Sequence, residues 1–255
     1  MDRLKLAAKI AKVAGDKVRD KYFNKLATFQ VKNDHSPVTK ADFESNRIII
    51  SAIKKEFPGD DIVSEETRHP VKGAEFCWYI DPVDGTTNFV MGLDLWGVSV
   101  GITRQGKPFA GAIYLPPQKQ LFTAQSGKGA FLNGKHLRTK RRRLPFVASI
   151  IRSRSPKMRK KALWAYSKLI RKPITIRILG SATVELVLIA QGKTDFCLSF
   201  ARHPWDNAAG FVIAKEAGVV FFKLGKGTDP LVGEDLFATS PDMMKTAKKV
   251  LGIAK

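Results

Sequence analysis

The sequence predicts a mixed fold of two unlike parts, an α+β segment followed by an α/β segment, and three observations carry that expectation. Two amphipathic helical patterns open the chain, short apolar runs broken by turn residues fill its middle, and strand and helix patterns alternate after residue 140. In the first pattern, residues 4–26, Leu6, Ile10 and Val13 share one helical face and Lys5, Lys9 and Lys12 another. A second helix is expected over residues 42–57. Thr39-Lys40-Ala41-Asp42 reads as its capping box, Ile49, Ile50 and Ile53 supply its apolar face, and Pro58-Gly59 stops it. Two short strands follow, 61–64 and 76–80, each ending in acidic residues.

Runs at 97–103, 109–115, 121–124 and 130–132, punctuated by Gly106, Pro116-Pro117 and Asn133-Gly134, then predict an antiparallel sheet. Beyond the basic residues 140–143 the rhythm alternates. Strands are expected at 147–151, 175–179, 196–199 and 219–222, with helices at 157–169, 182–190 and 207–217 between them. The boundary falls near residue 140. Residues 1–140 form an α+β half with two helices and an antiparallel sheet, and residues 141–255 an α/β half. No internal repeat of fixed period is present.

With 255 residues, 44% hydrophobic and 26% charged, the chain is long enough for a sizeable core and ordinary for a soluble protein. Met1-Asp2-Arg3 leads at once into a lysine-interrupted helix, and no stretch approaches 18 apolar residues. Neither secretion nor membrane insertion is expected. Cys77 and Cys197 lie far apart in apolar runs without zinc or redox spacing, and read as reduced core residues of a cytoplasmic protein. The charge is less ordinary: 44 Lys and Arg against 23 Asp and Glu give +21 and a pI near 10.1. Such a field attracts phosphorylated metabolites, nucleotides and nucleic acid alike.

The stretch richest in chemistry is Trp78-Tyr79-Ile80-Asp81-Pro82-Val83-Asp84-Gly85-Thr86-Thr87-Asn88. An apolar strand delivers Asp81, Pro82 fixes φ, and Asp84 comes three residues later, where a tight turn would bring the two carboxylates together. Carboxylates so placed repel unless a cation sits between them, and hard oxygen donors suit Mg²⁺. Val83 would serve through its carbonyl. Gly85 allows close backbone approach to an anion, and the N–H groups of Gly85 and Thr86 would open a helical turn toward a phosphate. A lone Asp-x-x-Asp is more often a turn with an N-cap. Further acids shift that balance: Glu65-Glu66 at the end of another strand, and Asp206 in Trp205-Asp206-Asn207-Ala208-Ala209-Gly210 at a helix start.

These motifs resemble those of the inositol monophosphatase family, within the lithium-sensitive, Mg²⁺-dependent phosphatase superfamily. Its first signature resembles residues 78–88, its Glu-Glu motif Ser64-Glu65-Glu66-Thr67, and its second signature residues 205–210. Ser36-Pro37-Val38-Thr39-Lys40-Ala41-Asp42 is similar to its Thr-x-x-Asp segment, and Gly180-Ser181-Ala182 to its substrate loop. The match runs in order along essentially the whole chain. The resemblance implies a layered αβαβα sandwich of the sugar-phosphatase type with the site between its halves. It implies a Mg²⁺ site of two to three ions: Glu65, Asp81 and the Val83 carbonyl on one, Asp81, Asp84 and Asp206 on a second, and Asp42 beside Glu65 on a weaker third. Thr86 would orient the attacking water, with Asp42 drawing on its hydroxyl. Substrate contacts would come from Asp84, Gly85, Thr86, the Gly180, Ser181 and Ala182 loop, and Asp206. Lithium inhibition and a homodimer are further implications.

The expected activity is therefore hydrolysis of a phosphate monoester by metal-activated water, a reaction that enzymes accelerate by up to roughly 10²¹-fold. The sequence holds no Gly-x-Ser-x-Gly elbow, Walker loop or His-Glu-x-x-His motif, and His203 reads as structural rather than as a covalent phosphate acceptor. Inositol 1-phosphate stands first as substrate. Ser199 departs from the inositol-selective pattern, which places an acidic residue seven positions before the second-signature Asp to engage sugar hydroxyls. Arg177 and Arg202 would suit a second phosphate, as in fructose 1,6-bisphosphate or a 3′(2′),5′-bisphosphate nucleotide, although solvation is the ordinary role of either. The non-enzymatic alternative is a basic RNA-binding or regulatory protein on the same fold, resting on residues 140–143 and 152–161. Aromatic residues for base stacking are scarce there, so nucleic acid is not the favoured partner.

Overall fold

The computed structural model describes residues 2–23, 29–32, 37–67, 71–140, 147–151, 156–200, 203–222 and 236–252. Helix α1 (Arg3–Tyr22) is capped by Asp2, whose carboxylate accepts the Lys5 N–H. Strands β1 (Phe29–Val31) and β2 (Pro37–Thr39) form a small antiparallel ribbon that feeds α2 (Lys40–Glu56). The expected capping box is present: Thr39 accepts from the first turn of α2 and Asp42 accepts the Thr39 N–H.

A seven-stranded sheet follows: β3 (Asp61–Ser64), β4 (Phe76–Asp84), β5 (Gly97–Arg104), β6 (Lys107–Leu115), β7 (Gln120–Gln125), β8 (Ala130–Leu132) and β9 (Lys135–Leu137), hydrogen-bonded in that order. The short helix α3 (Thr86–Val90) leaves the end of β4. The sheet is antiparallel except for the β3/β4 pair, which is parallel. The second sheet comprises β10 (Val147–Ile151), β11 (Thr175–Arg177), β12 (Phe196–Ser199), β13 (Val220–Phe222) and β14 (Leu236–Thr239), in the order β11-β10-β12-β14-β13. It is mixed, because β14 runs antiparallel to both β12 and β13. Helices α4 (Pro156–Leu169), α5 (Ala182–Ala190), α6 (Pro204–Glu216) and α7 (Met244–Leu251) complete the fold, α7 following a 3₁₀ turn at Pro241–Met243.

Five layers result. Helices α1 and α2 cover the outer face of the large sheet, α5 and α6 fill the space between the sheets, and α4 and α7 cover the second sheet. Period-2 alternation sorts the side chains. Val98, Val100 and Ile102 of β5 with Ala110, Ala112 and Tyr114 of β6 face α1 and α2, while Ile113 and Leu115 face α5 and α6. This is the mixed α/β sandwich the sequence predicts. No helix among the described residues is long and apolar enough to cross a membrane.

Several elements differ from expectation. Helix α1 is described to Tyr22, and the rest of its predicted span lies largely outside the described residues. Strand β4 runs on to Asp84 instead of stopping at residue 80. Helix α6 starts at Pro204, three residues early, because Pro suits the first helical position. Strands β9 and β14 and helix α7 were not expected from the sequence pattern.

Two glycines set how closely α6 approaches the large sheet. Gly101 and Gly111 pair across β5 and β6. A Cβ on Gly101 would lie 2.5 Å from the Ala208 Cβ, and one on Gly111 2.7 Å from the Ala209 Cα. These neighbours are backbone or backbone-fixed atoms that cannot rotate away. Gly111→Ala is therefore expected to destabilise the protein by about 1–3 kcal/mol through overpacking. Gly59→Ala, where a Cβ would meet nothing within 4 Å, should change stability by less than about 0.5 kcal/mol. Urea unfolding of the two variants checks the contrast.

Candidate active site

The end of β4 is the centre of the site. Asp81 pairs with Ser99 and Asp84 with Gly97, so three steps on β4 oppose two on β5. Pro82 has no N–H to give the ladder, and the surplus residue is absorbed as a bulge. The tight turn expected between the two aspartates is thus a bulge within a continuing strand. Both carboxylates are buried. The Ser45 hydroxyl of α2 donates to the Pro82 carbonyl at 2.8 Å and fixes the bulge from behind. The Val83 side chain sits in an apolar cluster with Val18, Ala41, Phe89 and Trp96, leaving its carbonyl as the polar group it offers. Gly85 has φ +86, and a Cβ there would stand 2.8 Å from the Leu95 carbonyl oxygen, so both conformation and space require glycine.

Four helix N-termini meet around this strand end. At α2, Asp42 Oδ2 accepts the Thr39 N–H at 2.8 Å, while its Oδ1 lies 3.2 Å from the Thr86 hydroxyl. That hydroxyl also lies 3.0 Å from the Val83 carbonyl. Burial pushes the Asp42 carboxyl up to about 6. At α5, Asp84 Oδ2 accepts from the Ser181 hydroxyl at 2.5 Å, the Thr183 N–H at 2.7 Å and the Thr183 hydroxyl at 2.5 Å. At α6, Asp206 lies in the first turn, and its carboxylate accepts the His203 N–H. At α3, Gly85 precedes the first turn. Helix N-termini favour anions, and these four face a common cluster of carboxylates.

Glu65 follows β3, its N–H bonded to the Ile80 carbonyl beside the β4 strand. Its side chain pairs with the Lys32 ammonium at 2.8 Å, and Glu66 pairs with the same ammonium at 2.5 Å. Burial raises Glu66 to about 7. Asp81 bears the heaviest electrostatic load. Burial first, then the charges of Glu65, Asp84, Asp206 and Asp42, push it well above the usual carboxylate range. Burial raises Asp84 as well, against the hydrogen bonds from Ser181 and Thr183. Asp206 is raised by burial and by Asp84 and Glu65.

The donor set suits a hard cation. Asp81 Oδ1 is buried without a hydrogen-bond partner among the described residues, an orphaned anionic oxygen amid four other carboxylates. The groups are not, however, gathered into a ready shell: among the described residues no three His, Cys, Asp or Glu side chains converge closely enough to hold an ion. The contacts explain why. Lys32 occupies Glu65, and the N-terminus of α5 occupies Asp84 Oδ2. By donor type the residues fit Mg²⁺, with an exchange at Glu65 needed to complete the set.

The model of the inositol monophosphatase family matches residues 2–251. The chain belongs to the inositol monophosphatase family. A fructose-1,6-bisphosphatase/inositol-1-monophosphatase of Aquifex aeolicus is 33% identical over 97% of this chain and 96% of its own. The Nus factor SuhB of Vibrio cholerae is 33% identical over 95% and 92%. The crystal structure of the extragenic suppressor protein suhB of Bartonella henselae superposes with a TM-score of 0.87, covering 97% of each chain at 28% identity. Family and relatives support a phosphatase.

Other predicted residues are placed less centrally. Gly180 has φ +75 and precedes Ser181, the N-cap of α5. Arg177 is exposed on β11, at the edge of the second sheet, and Arg202 lies outside the described residues. Ser199 is buried, with its hydroxyl 3.3 Å from the Asn207 side-chain oxygen. His203 stacks on Trp205 at 4.5 Å, in keeping with a structural role.

Two groups escaped the sequence reading. Lys32 carries no motif that marks it as a partner of Glu65. Glu185 had a visible signal, as the one acid in the otherwise uncharged helix Ala182–Ala190. It is fully buried, and its Oε1 accepts the Leu179 N–H at 2.9 Å. The Leu179 carbonyl in turn accepts from Asn88 Nδ2 at 2.7 Å, which also bonds the Leu95 carbonyl. Glu185 thereby holds the loop that presents the α5 N-terminus to Asp84. Glu185→Leu, which leaves the Leu179 N–H unpaired, should lose about 1–3 kcal/mol of stability. Glu185→Gln keeps an accepting oxygen and should retain most of it, and thermal melts of both variants check the difference.

Proposed function

We propose that the chain is a Mg²⁺-dependent phosphate-monoester hydrolase acting on a small phosphorylated metabolite, with inositol 1-phosphate as first candidate. The observation that carries this reading is Asp81: a buried carboxylate with an orphaned oxygen, pressed by Glu65, Asp84, Asp206 and Asp42. Only a cation relieves such a cluster when the carboxylates are ionised. Glu65, Asp81, Asp84, Asp206 and the Val83 carbonyl would hold Mg²⁺, in two to three positions. Bound there, Mg²⁺ would neutralise the phosphate and lower the pKa of the attacking water.

The remaining work falls to the protein's own groups. The Thr86 proton points to Asp42 and the Val83 carbonyl, which leaves the Thr86 oxygen to accept from a water molecule. A water held through its hydrogen turns a lone pair outward, toward a phosphorus atom placed before it. Asp42, fixed by the α2 capping box, keeps the Thr86 hydroxyl in that orientation. The N-termini of α3 and α5 attract the phosphate oxygens, with Gly85, Gly180, Ser181 and Ala182 lining the approach.

Fructose 1,6-bisphosphate is the second reading. It is favoured by the name of the Aquifex relative and by Ser199, where the inositol-selective acid is missing. A 3′(2′),5′-bisphosphate nucleotide is a third. For assembly we propose a homodimer; Met91 and Leu93 expose 67% and 42% of their surface and Ile178 54%, apolar area that a second copy would cover.

A phosphate-release screen with and without Mg²⁺ across inositol 1-phosphate, fructose 1,6-bisphosphate, 3′-phosphoadenosine 5′-phosphate and histidinol phosphate tests the reading. Asp81→Asn and Asp84→Asn should each lower kcat by roughly 10²–10³-fold or more. Asp84→Asn should remain folded, because an amide oxygen still accepts from Ser181 and Thr183. Wild-type chain that releases no phosphate from any of the four, or Asp84→Asn with full activity, would sink the mechanism.

A further inference from the structure

The sign of charge along the chain is strongly uneven. Between Asp94 and Glu185 there is no Asp or Glu, while 20 Lys and Arg fall in that span. The span includes all of α4, and α7 also lacks a carboxylate. These two helices pack together as the outermost layer. Ala162, Ala165 and Leu169 of α4 turn inward with Met243, Ala247 and Leu251 at α7. A Cβ on Gly252 would stand 4.0 Å from the Lys168 ammonium, so the lysine of one helix reaches over the end of the other.

Helical phase then fixes what the layer shows to solvent. With residues 162, 165, 169, 247 and 251 buried, Lys160, Lys168, Lys245 and Lys249 fall on the outward face and are exposed, and Arg171 and Lys172 extend it in the turn after α4. Among the described residues none of these six makes an ion pair, and Asp242, before α7, is the one acid in the segments that build the layer. Some cations of the N-terminal helix are matched by contrast: Arg3 pairs with Asp60, Lys12 with Asp16 and Lys21 with Glu44. The second sheet separates this face from the Asp81 cluster. Its lysines therefore cannot touch a small substrate bound there.

One small anion needs one or two cations, whereas a row of unmatched cations across two helices fits a ligand with successive phosphates. We propose that the α4/α7 face docks single-stranded RNA through its phosphodiester backbone. Both helices lie flat against the sheet, so neither projects to enter the major groove of a duplex. Leu163 of α4 and Ile170 just after it are also exposed, so capture by a lipid surface is the competing outcome that the test separates.

The test uses the full chain and a fluorescent oligouridylate of about 20 nucleotides, with binding read by anisotropy as salt rises from about 50 to 200 mM. Replacing Lys160, Lys168, Lys245 and Lys249 together by Gln should weaken binding at least tenfold at the lower salt. It should also flatten the plot of log K against log salt by about 3, near 0.7 for each lost contact. Phosphate release from the small substrate should not change. A control variant with Lys5, Lys9, Lys12 and Lys17 of α1 replaced by Gln should bind almost as wild type. Equal weakening by the control variant would overturn the proposal, since the net charge alone would then account for binding. Equal affinity for a DNA duplex, or capture by phosphatidylserine vesicles without binding of the oligouridylate, would overturn it as well.

Discussion

The arrangement depends on one carboxylate, Asp84, and on its contact with the N-terminus of α5. Asp84 belongs to the large sheet and α5, between the two sheets, belongs to the later part of the chain, so three hydrogen bonds to Oδ2 tie the two parts together at the candidate site. Without them the carboxylate would be buried at a cost of several kcal/mol. With them the cost is offset, and the loop at Gly180 is held in register by Glu185 and Asn88. The same oxygen cannot serve fold and substrate equally. Oδ2 is committed to α5, and the group's remaining capacity as an acceptor faces the cluster.

Magnitudes show why helix dipoles do not suffice there. A helix N-terminus favours an anion by typically 0.3–1 kcal/mol, and up to about 2 in partly buried geometry. Four of them amount to a few kcal/mol at most. Asp81 alone feels burial and four carboxylates, and a pair of like charges 4 Å apart costs about 4 kcal/mol at an effective dielectric of 20. The balance requires either protonation or an added positive charge. Lys32 supplies part of that charge at Glu65 and Glu66, but Asp81 Oδ1 keeps no partner among the described residues. A fold that retains this imbalance has its carboxylates arranged for a ligand rather than for stability.

What was legible in the sequence was what local rules decide. The α2 capping box depends on residues three apart, and the bounds of α5 on Ser181 and a run of apolar residues; both were read correctly. The bulge at Pro82 was not, because a turn and a bulge differ only in whether β5 pairs beyond it, and that partner lies 13 residues past Asp84. Strand β14 escaped for the same reason: four residues acquire their conformation from β12 and β13, which are distant in sequence. Asp81 and Asp84 are legible from the chemistry of their own stretch, whereas Glu65 and Asp206, each ordinary alone at a strand end or a helix start, stand out through the resemblance to the family. Lys32 was missed because its link to Glu65 spans 33 positions with no motif between them.

Ser199 shows how one substitution bears on both charge and selectivity. It closes β12 next to α6, and its hydroxyl reaches Asn207, the residue after Asp206. A carboxylate at this buried position would bring another negative charge close to the first turn of α6, where burial and two acids already raise Asp206. Serine relieves that repulsion. It also removes the group that would grip sugar hydroxyls, so recognition would lean more heavily on the phosphate and on the helix N-termini that face it. On the proposed function, a site built in this way would discriminate weakly among the alcohols to which the phosphate is attached, because a neutral hydroxyl gives a weaker hydrogen bond than a charged acceptor.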